Sequence, residues 1–191
     1  MLVISIVILA SALSGCGGKP FNVKPRPEKP HAEYRAKGAI DDVTIHVDAV
    51  TDEDYLYETF DANLILASVY PVRVMATNNG SQALELGRAR FEVRNGTGRR
   101  FKALDPRRAY KRLISYYGIS VYNKDGYKRS LVDFTSHGLD TGTPLGPGES
   151  RQGVVFFAIP AEVVRDGGLI FAARLNAKHA KTDPTLELKL N

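Results

Sequence analysis

Four histidines, one cysteine and a few adjacent carboxylates are the side chains of this 191-residue chain with latent chemistry. His31, His46, His137 and His179 stand at no spacing that would let two of them share a metal from one helix or loop. His46 falls on the polar face of a predicted strand and is expected to be exposed. Asp52-Glu53-Asp54 lacks the spaced oxygen ligands and the glycine of a calcium loop. It reads as a solvated acidic turn, and Asp41-Asp42 reads the same way. Ser150, in Gly148-Glu149-Ser150-Arg151-Gln152, has no glycine two places on, so it is not a nucleophile elbow. Ser136 and His137 are neighbours in sequence only. Gly96-Thr97-Gly98 is too short for a phosphate loop and is followed by Arg99. Asn79-Gly80-Ser81 and Asn95-Gly96-Thr97 match glycosylation acceptors but read most simply as turns. No catalytic residue, metal site or dissociable cofactor is therefore assigned.

Cys16 has a chemistry of its own. It follows an apolar run from Met1 to Leu13 that would reach about 20 Å as a helix. That is shorter than the ~20 apolar residues a bilayer core requires, and it has the size of a signal-peptide apolar region. The run ends at Leu13-Ser14-Gly15-Cys16, which resembles the lipobox of bacterial lipoproteins: one aliphatic residue, two small ones, then cysteine. The resemblance implies cleavage between Gly15 and Cys16. It also implies a diacylglyceryl group on the thiol and an N-acyl lipid on the new terminus. The membrane is then the first expected partner. Gly17 is not the Asp associated with inner-membrane retention, so in a diderm cell the resemblance favours the outer membrane, facing the periplasm.

The remaining candidates are cations. The chain carries 26 Lys and Arg against 21 Asp and Glu, a formal charge of +5. That excess is too small to point to nucleic acid. It is nevertheless uneven: Arg88, Arg90, Arg94, Arg99, Arg100, Lys102, Arg107, Arg108, Lys111 and Arg112 face only Glu92 and Asp105 in the same stretch. Arg88, Arg90 and Arg94 are expected on one strand face, and Arg107, Arg108, Lys111 and Arg112 on one helix face. Together they form a candidate patch for an anionic envelope component or an acidic protein partner.

The elements that must position these residues follow from periodicity. From Gly17 to Lys37 the run Pro20, Pro25, Pro27, Pro30 favours extended polyproline II. At ~3.1 Å per residue it would serve as a basic tether of about 60 Å. From residue 38 the pattern becomes a string of strands. Val43, Ile45 and Val47 alternate with polar residues, and Tyr70 to Thr77 does the same. Asn78-Asn79-Gly80-Ser81 is expected to turn the chain so that Gln82 to Arg94 returns as a hairpin. A short strand at Arg100 to Ala103 leads to Asp105-Pro106, a helix start. Ala109, Tyr110, Leu113, Ile114 and Tyr117 then mark one apolar helix face, stopped at Gly118. A strand near Ile119 to Tyr122, a turn at Asp125-Gly126 and a loop from Val132 to Gly146 are expected next. Gly153 to Ile159 is apolar on both faces and so a central strand. Leu169 to Leu175 and Leu186 to Leu190 complete seven or eight strands.

These features predict a mainly β fold, an immunoglobulin-like antiparallel β-sandwich with one crossover α-helix. Phe60-Asp61-Ala62-Asn63, Val69-Tyr70-Pro71-Val72-Arg73-Val74 and Pro147-Gly148-Glu149-Ser150 resemble a group of uncharacterised bacterial lipoproteins. Gly153 to Pro160 strengthens that likeness. The resemblance implies the sandwich and supplies no catalytic residue. The chain divides into a signal at 1–15, an anchor and tether at 16–37 and a sandwich domain at 38–191. Its expected role is non-catalytic binding or assembly at the cell envelope. The competing expectations are an envelope enzyme with a site built from loop 135–146, and a passive spacer.

Overall fold

The computed structural model describes residues 18–175 and 184–190; the signal, Cys16 and His179 lie outside them. Eight strands are present: β1 (Ala36–Ile40), β2 (Val43–Ala49), β3 (Tyr70–Asn78), β4 (Arg90–Arg94), β5 (Arg100–Leu104), β6 (Ser150–Phe157), β7 (Ile170–Arg174) and β8 (Leu186–Lys189). Every pairing is antiparallel, in the order β1-β2-β3-β6-β5-β4-β7-β8. β1 and β8 lie beside each other, so the sheet folds over into a nearly closed sandwich. β5 joins the layers: it pairs with β4 from Arg100 to Lys102 and with β6 only at Ala103 and Leu104.

Strict alternation builds the interior. Val43, Ile45 and Val47 from β2, Val72 and Val74 from β3, and Val93 from β4 all point inward and are buried. β6 behaves as its two-faced apolar sequence predicts. Val155 and Phe157 enter the sandwich interior, while Val154 and Phe156 enter a second core on the other side. That second core is the main departure from a plain sandwich. It lies between the outer face of β6 and four elements packed over it.

Three of those elements are helices: α1 (Glu53–Phe60), α2 (Pro106–Tyr116) and α3 (Lys124–Thr135); a short α4 (Ala161–Asp166) precedes β7. A single helix was expected, and only α2 matches that expectation. Asp105 caps it, its side chain accepting from the amides of Arg107 and Arg108. Ala109, Tyr110 and Leu113 are fully buried. The acidic stretch at Asp52 is a helix start rather than a solvated turn. The Asp52 side chain accepts from the Tyr55 amide at 2.7 Å, and Glu53 and Asp54 sit in the first turn, where negative charge suits the helix dipole. α3 replaces the expected turn at Asp125-Gly126 and the start of the expected loop, from Val132 to Thr135. Asn123 caps it, accepting from the amides of Asp125 and Gly126. Residues 119–122 form no strand.

The hairpin expected at Asn78-Asn79-Gly80 is also absent. β3 pairs with β2 and β6, and β4 lies in the other layer beside β5 and β7. Asn78 instead knots the loop: its Nδ2 donates to the carbonyls of Gln82 and Leu145 at 2.8 and 2.9 Å. True hairpin turns occur at Asp41, with φ of 49°, and at Asn95-Gly96-Thr97-Gly98, where Gly98 has φ of 81°.

The fourth element over the second core is the stretch read as a free tether. From Gly18 to Arg35 it lies as a strap along the domain, with Phe21, Val23 and Tyr34 buried. The Phe21 ring meets Tyr110 and Tyr117 edge-on, at 6.0 and 5.8 Å between centroids. Ser130 clamps the backbone, accepting from the Phe21 amide and donating to its carbonyl. The Lys24 amide donates to the Thr59 carbonyl at 2.8 Å. The folded unit therefore begins well before residue 38.

Candidate functional site

The predicted basic strip separates into two groups because the chain changes layer at Leu104–Asp105. Arg90 and Arg94 share the outer face of β4 as expected, but Arg88 belongs to a 3-10 turn at Leu86–Arg88 and not to the strand. The register sets Arg90 opposite Arg174, Glu92 between Lys102 and Ala172, and Arg94 between Arg100 and Ile170. Arg107, Arg108, Lys111 and Arg112 lie exposed on α2, against the opposite layer.

On the β4 face the charges are not equally available. Arg94 pairs with Glu92 at 3.6 Å and with Glu187 of β8. Arg100 reaches Glu92 at 3.8 Å. Asp105 is occupied in capping α2. Arg90 and Lys102 are exposed, Arg90 donating one guanidinium hydrogen bond to the Ala89 carbonyl.

These residues border a groove of about 660 Å³, whose origin lies in the sheet topology. β5 ends at Leu104 and turns into α2, so the first half of β6 has no β5 beside it. Residues 137–139 lie there instead, with Leu139 donating to the Val154 carbonyl and Val154 to that of His137. The gap left between this segment and β4 has an apolar floor that includes Phe91, Leu139 and Val155, and a rim of Arg90, Arg100, Lys102 and Arg174 around Glu92. An apolar slot under a cationic rim fits a ligand with an anionic group and an apolar body. Arg174 joins the rim from a distant part of the sequence. Nothing local signals it; only the pairing of β4 with β7 brings it there.

The histidines take roles the spacing did not suggest. His46 is buried rather than exposed, its ring edge-on to His31 at 5.5 Å and to Tyr34 at 5.8 Å. Burial, with His31 and Lys37 nearby, lowers its pKa. His137, the residue around which a loop-built enzyme site would be assembled, is fully enclosed. Its Nε2 bonds the Lys24 carbonyl at 2.8 Å and its ring packs on Phe60 at 4.7 Å, while its Nδ1 has no hydrogen-bond partner. Burial lowers its pKa, partly offset by the bond to Lys24. Among the described residues no three His, Cys, Asp or Glu side chains gather as a metal site.

The cations of the strap, read from the sequence as those of a free basic tether, instead grip the domain. Lys29 Nζ meets Asp48 Oδ2 at 2.5 Å, and Arg73 and Arg35 approach the same carboxylate at 3.8 and 3.4 Å. Arg26 donates to the His137 carbonyl at 3.0 Å.

No protein-family model and no curated protein matches the sequence. Among solved structures, the yjhA protein from Bacillus subtilis is similar at 11% identity and a TM-score of 0.43, over 83% of this chain and 98% of that one. A conserved hypothetical protein from Bacillus anthracis is similar at 11% identity and a TM-score of 0.38, over 78% and 91%. An uncharacterized beta-sandwich protein from Clostridium difficile is similar at 13% identity and a TM-score of 0.36, over 78% and 92%. At such scores the fold assignment rests on the strand pairing of this chain itself.

Proposed function

We propose that this chain is a lipid-anchored protein of the bacterial cell envelope whose sandwich serves as a non-catalytic binding or assembly module. The anchor is Cys16, acylated on sulfur and nitrogen after cleavage at Gly15, and in a diderm cell the protein faces the periplasm from the outer membrane. The observation that carries the binding role is the groove between β4 and the 137–139 segment, apolar in its floor and cationic at its rim. Its partner presents an anionic group to Arg90 and Lys102, with Arg100 and Arg174, already engaged with Glu92 and Thr185, beside them. Arg94 contributes less, because Glu92 and Glu187 already neutralise it.

Two measurements test this reading. Mass spectrometry of the N-terminal peptide from native protein should find acyl chains on Cys16, absent after Cys16→Ser. Crosslinking in intact envelopes should recover a partner from the unaltered protein and lose it with Arg90→Glu plus Lys102→Glu. An unacylated Cys16 refutes the anchor. Unchanged recovery refutes the groove.

A further inference from the structure

The helical hairpin α2–α3 carries charges and apolar groups that the groove does not use. Between Pro106 and Tyr116 there are four cations and no carboxylate. Arg108, Arg112 and Tyr116 follow one another at i, i+4 and i+8, and so form one ridge. α3 repeats the device with Lys124, Lys128 and Val132, all exposed. Its two carboxylates are already engaged, Asp125 with Lys128 at 3.9 Å and Asp133 with Lys19 at 2.6 Å.

Where the ridges meet, the connecting loop presents apolar side chains to solvent. Tyr122 is 93% exposed and Val121 41%, with Tyr116 at 53% at the end of α2; Val132, at 64%, lies two turns further along α3. The described residues include six large exposed hydrophobics, and four belong to this hairpin. Apolar groups gathered in this way mark a contact surface. Tyrosine and valine ringed by Lys and Arg is the composition that settles at the headgroup level of an anionic bilayer.

A second observation fixes which surface this is. The strap enters at the same hairpin: a Cβ on Gly126, in the first turn of α3, would lie 2.6 Å from the Gly18 carbonyl oxygen. Asn123, which caps that turn, directly follows Tyr122. Cys16 is two residues before Gly18, within about 7 Å even when the chain is fully extended. An anchor on Cys16 would thus tether the molecule near the first turn of α3, which Tyr122 precedes in sequence.

The geometry points to the α2–α3 hairpin as a bilayer-docking face, with Tyr122, Val121 and Tyr116 at the headgroup level and Arg108, Arg112, Lys124 and Lys128 on anionic phosphates. This rests on the proposed lipid anchor, and it removes the long spacer from that picture. The domain lies on the membrane.

The chain contains no tryptophan, which allows a single-reporter test. Tyr122→Trp and, for reference, Thr97→Trp in the β4–β5 turn are prepared in the full-length protein. They are reconstituted in vesicles of brominated phosphatidylcholine and phosphatidylglycerol in equal parts. Docking predicts several-fold stronger quenching at position 122 than at 97, with a blue-shifted emission. Arg112→Gln and Lys128→Gln should each weaken it by about fivefold in partitioning. Equal quenching at both positions in protein whose Cys16 is acylated overturns the docking face and leaves the anchor standing. If mass spectrometry finds no acyl group, the anchor falls. Co-sedimentation of the unacylated chain with phosphatidylglycerol vesicles, lost on Tyr122→Ser, would then uphold the docking face alone. Its failure to sediment would overturn both.

Discussion

Replacing Phe21 by alanine separates a strap that belongs to the fold from a spacer that merely connects. In a spacer, Phe21 would stand in water and Phe21→Ala would cost nothing. In the structure the ring is 4% exposed and edge-on to two tyrosines. A phenylalanine buries on the order of 200 Å², which at ~25 cal/mol per Å² gives an upper limit of about 5 kcal/mol. Phe→Ala changes in cores cost 3–5 kcal/mol, less where neighbours collapse into the space. The strap lies at the margin of the second core, so the lower figure applies, and we expect a loss of about 3 kcal/mol. Urea denaturation followed by circular dichroism should show a lower midpoint with an unchanged slope. Amide exchange supplies an independent reading, because Lys24 donates to Thr59 and Asn22 to Asp61 Oδ2. Both amides should be protected in the unaltered protein and exchange faster in the variant. A midpoint shifted by less than about 0.5 kcal/mol, with the Lys24 amide already unprotected before substitution, would refute the docked strap.

Asp48→Asn removes the carboxylate between Lys29, Arg35 and Arg73. The Arg73 and Lys29 side chains are only 9% and 16% exposed, so the uncompensated charges should cost about 3 kcal/mol in thermal unfolding. Gly153→Ala would place a Cβ 2.3 Å from Leu139 Cα and 2.5 Å from its amide nitrogen. The 137–139 segment must move off β6, so we expect roughly 3 kcal/mol of destabilisation and weakened partner recovery through the groove. Stability should fall on acidification through His137. Its folded pKa is lowered from 6.5 by burial, so below that value the unfolded chain binds the extra proton. Stability is therefore complete above pH 6.5, is lost at up to about 1.4 kcal/mol per pH unit below it, and levels off beneath the folded pKa. Urea midpoints between about pH 7.5 and 5 should show this slope, and His137→Gln should flatten it. His46, also lowered by burial, adds a residual slope of the same sign.

What was legible in the sequence depended on whether local rules agreed with tertiary ones. Val43-Thr44-Ile45-His46-Val47 alternates because one side meets the interior, and that pattern places β2 correctly. Asp105-Pro106 combines a capping side chain with a proline fit for the first helical position, and α2 begins there. Asn123-Lys124-Asp125-Gly126 supports two incompatible readings, a cap for a helix or an Asp-Gly turn. The choice is made at a distance, by Gly18 lying against Gly126 and by Tyr127, Ser130 and Phe134 facing the second core. The strap defeats periodicity altogether. Phe21, Val23 and Tyr34 sit among prolines in extended chain, with no helical or strand repeat to mark them as apolar anchors.

The cations show the same limit and resolve it into a spatial argument. In sequence Arg88 to Arg112 is one strip; in space it is divided by a change of layer, and Glu187 of β8 decides how much of Arg94 remains available. α2 spans the division. Asp105 and Pro106 at its start border the groove, and the Tyr116–Tyr122 segment at its end forms the proposed bilayer contact. Eleven residues of helix extend about 16 Å. With both proposed contacts engaged, the groove would open within a helix length of the bilayer, where a free proline tether would allow on the order of 60 Å. A partner held there meets the membrane as well as the protein. Its anionic group is then drawn to the rim cations while the surface charge of the bilayer repels it, so at low ionic strength binding at the groove should be weaker in the docked protein than in an undocked, unacylated one.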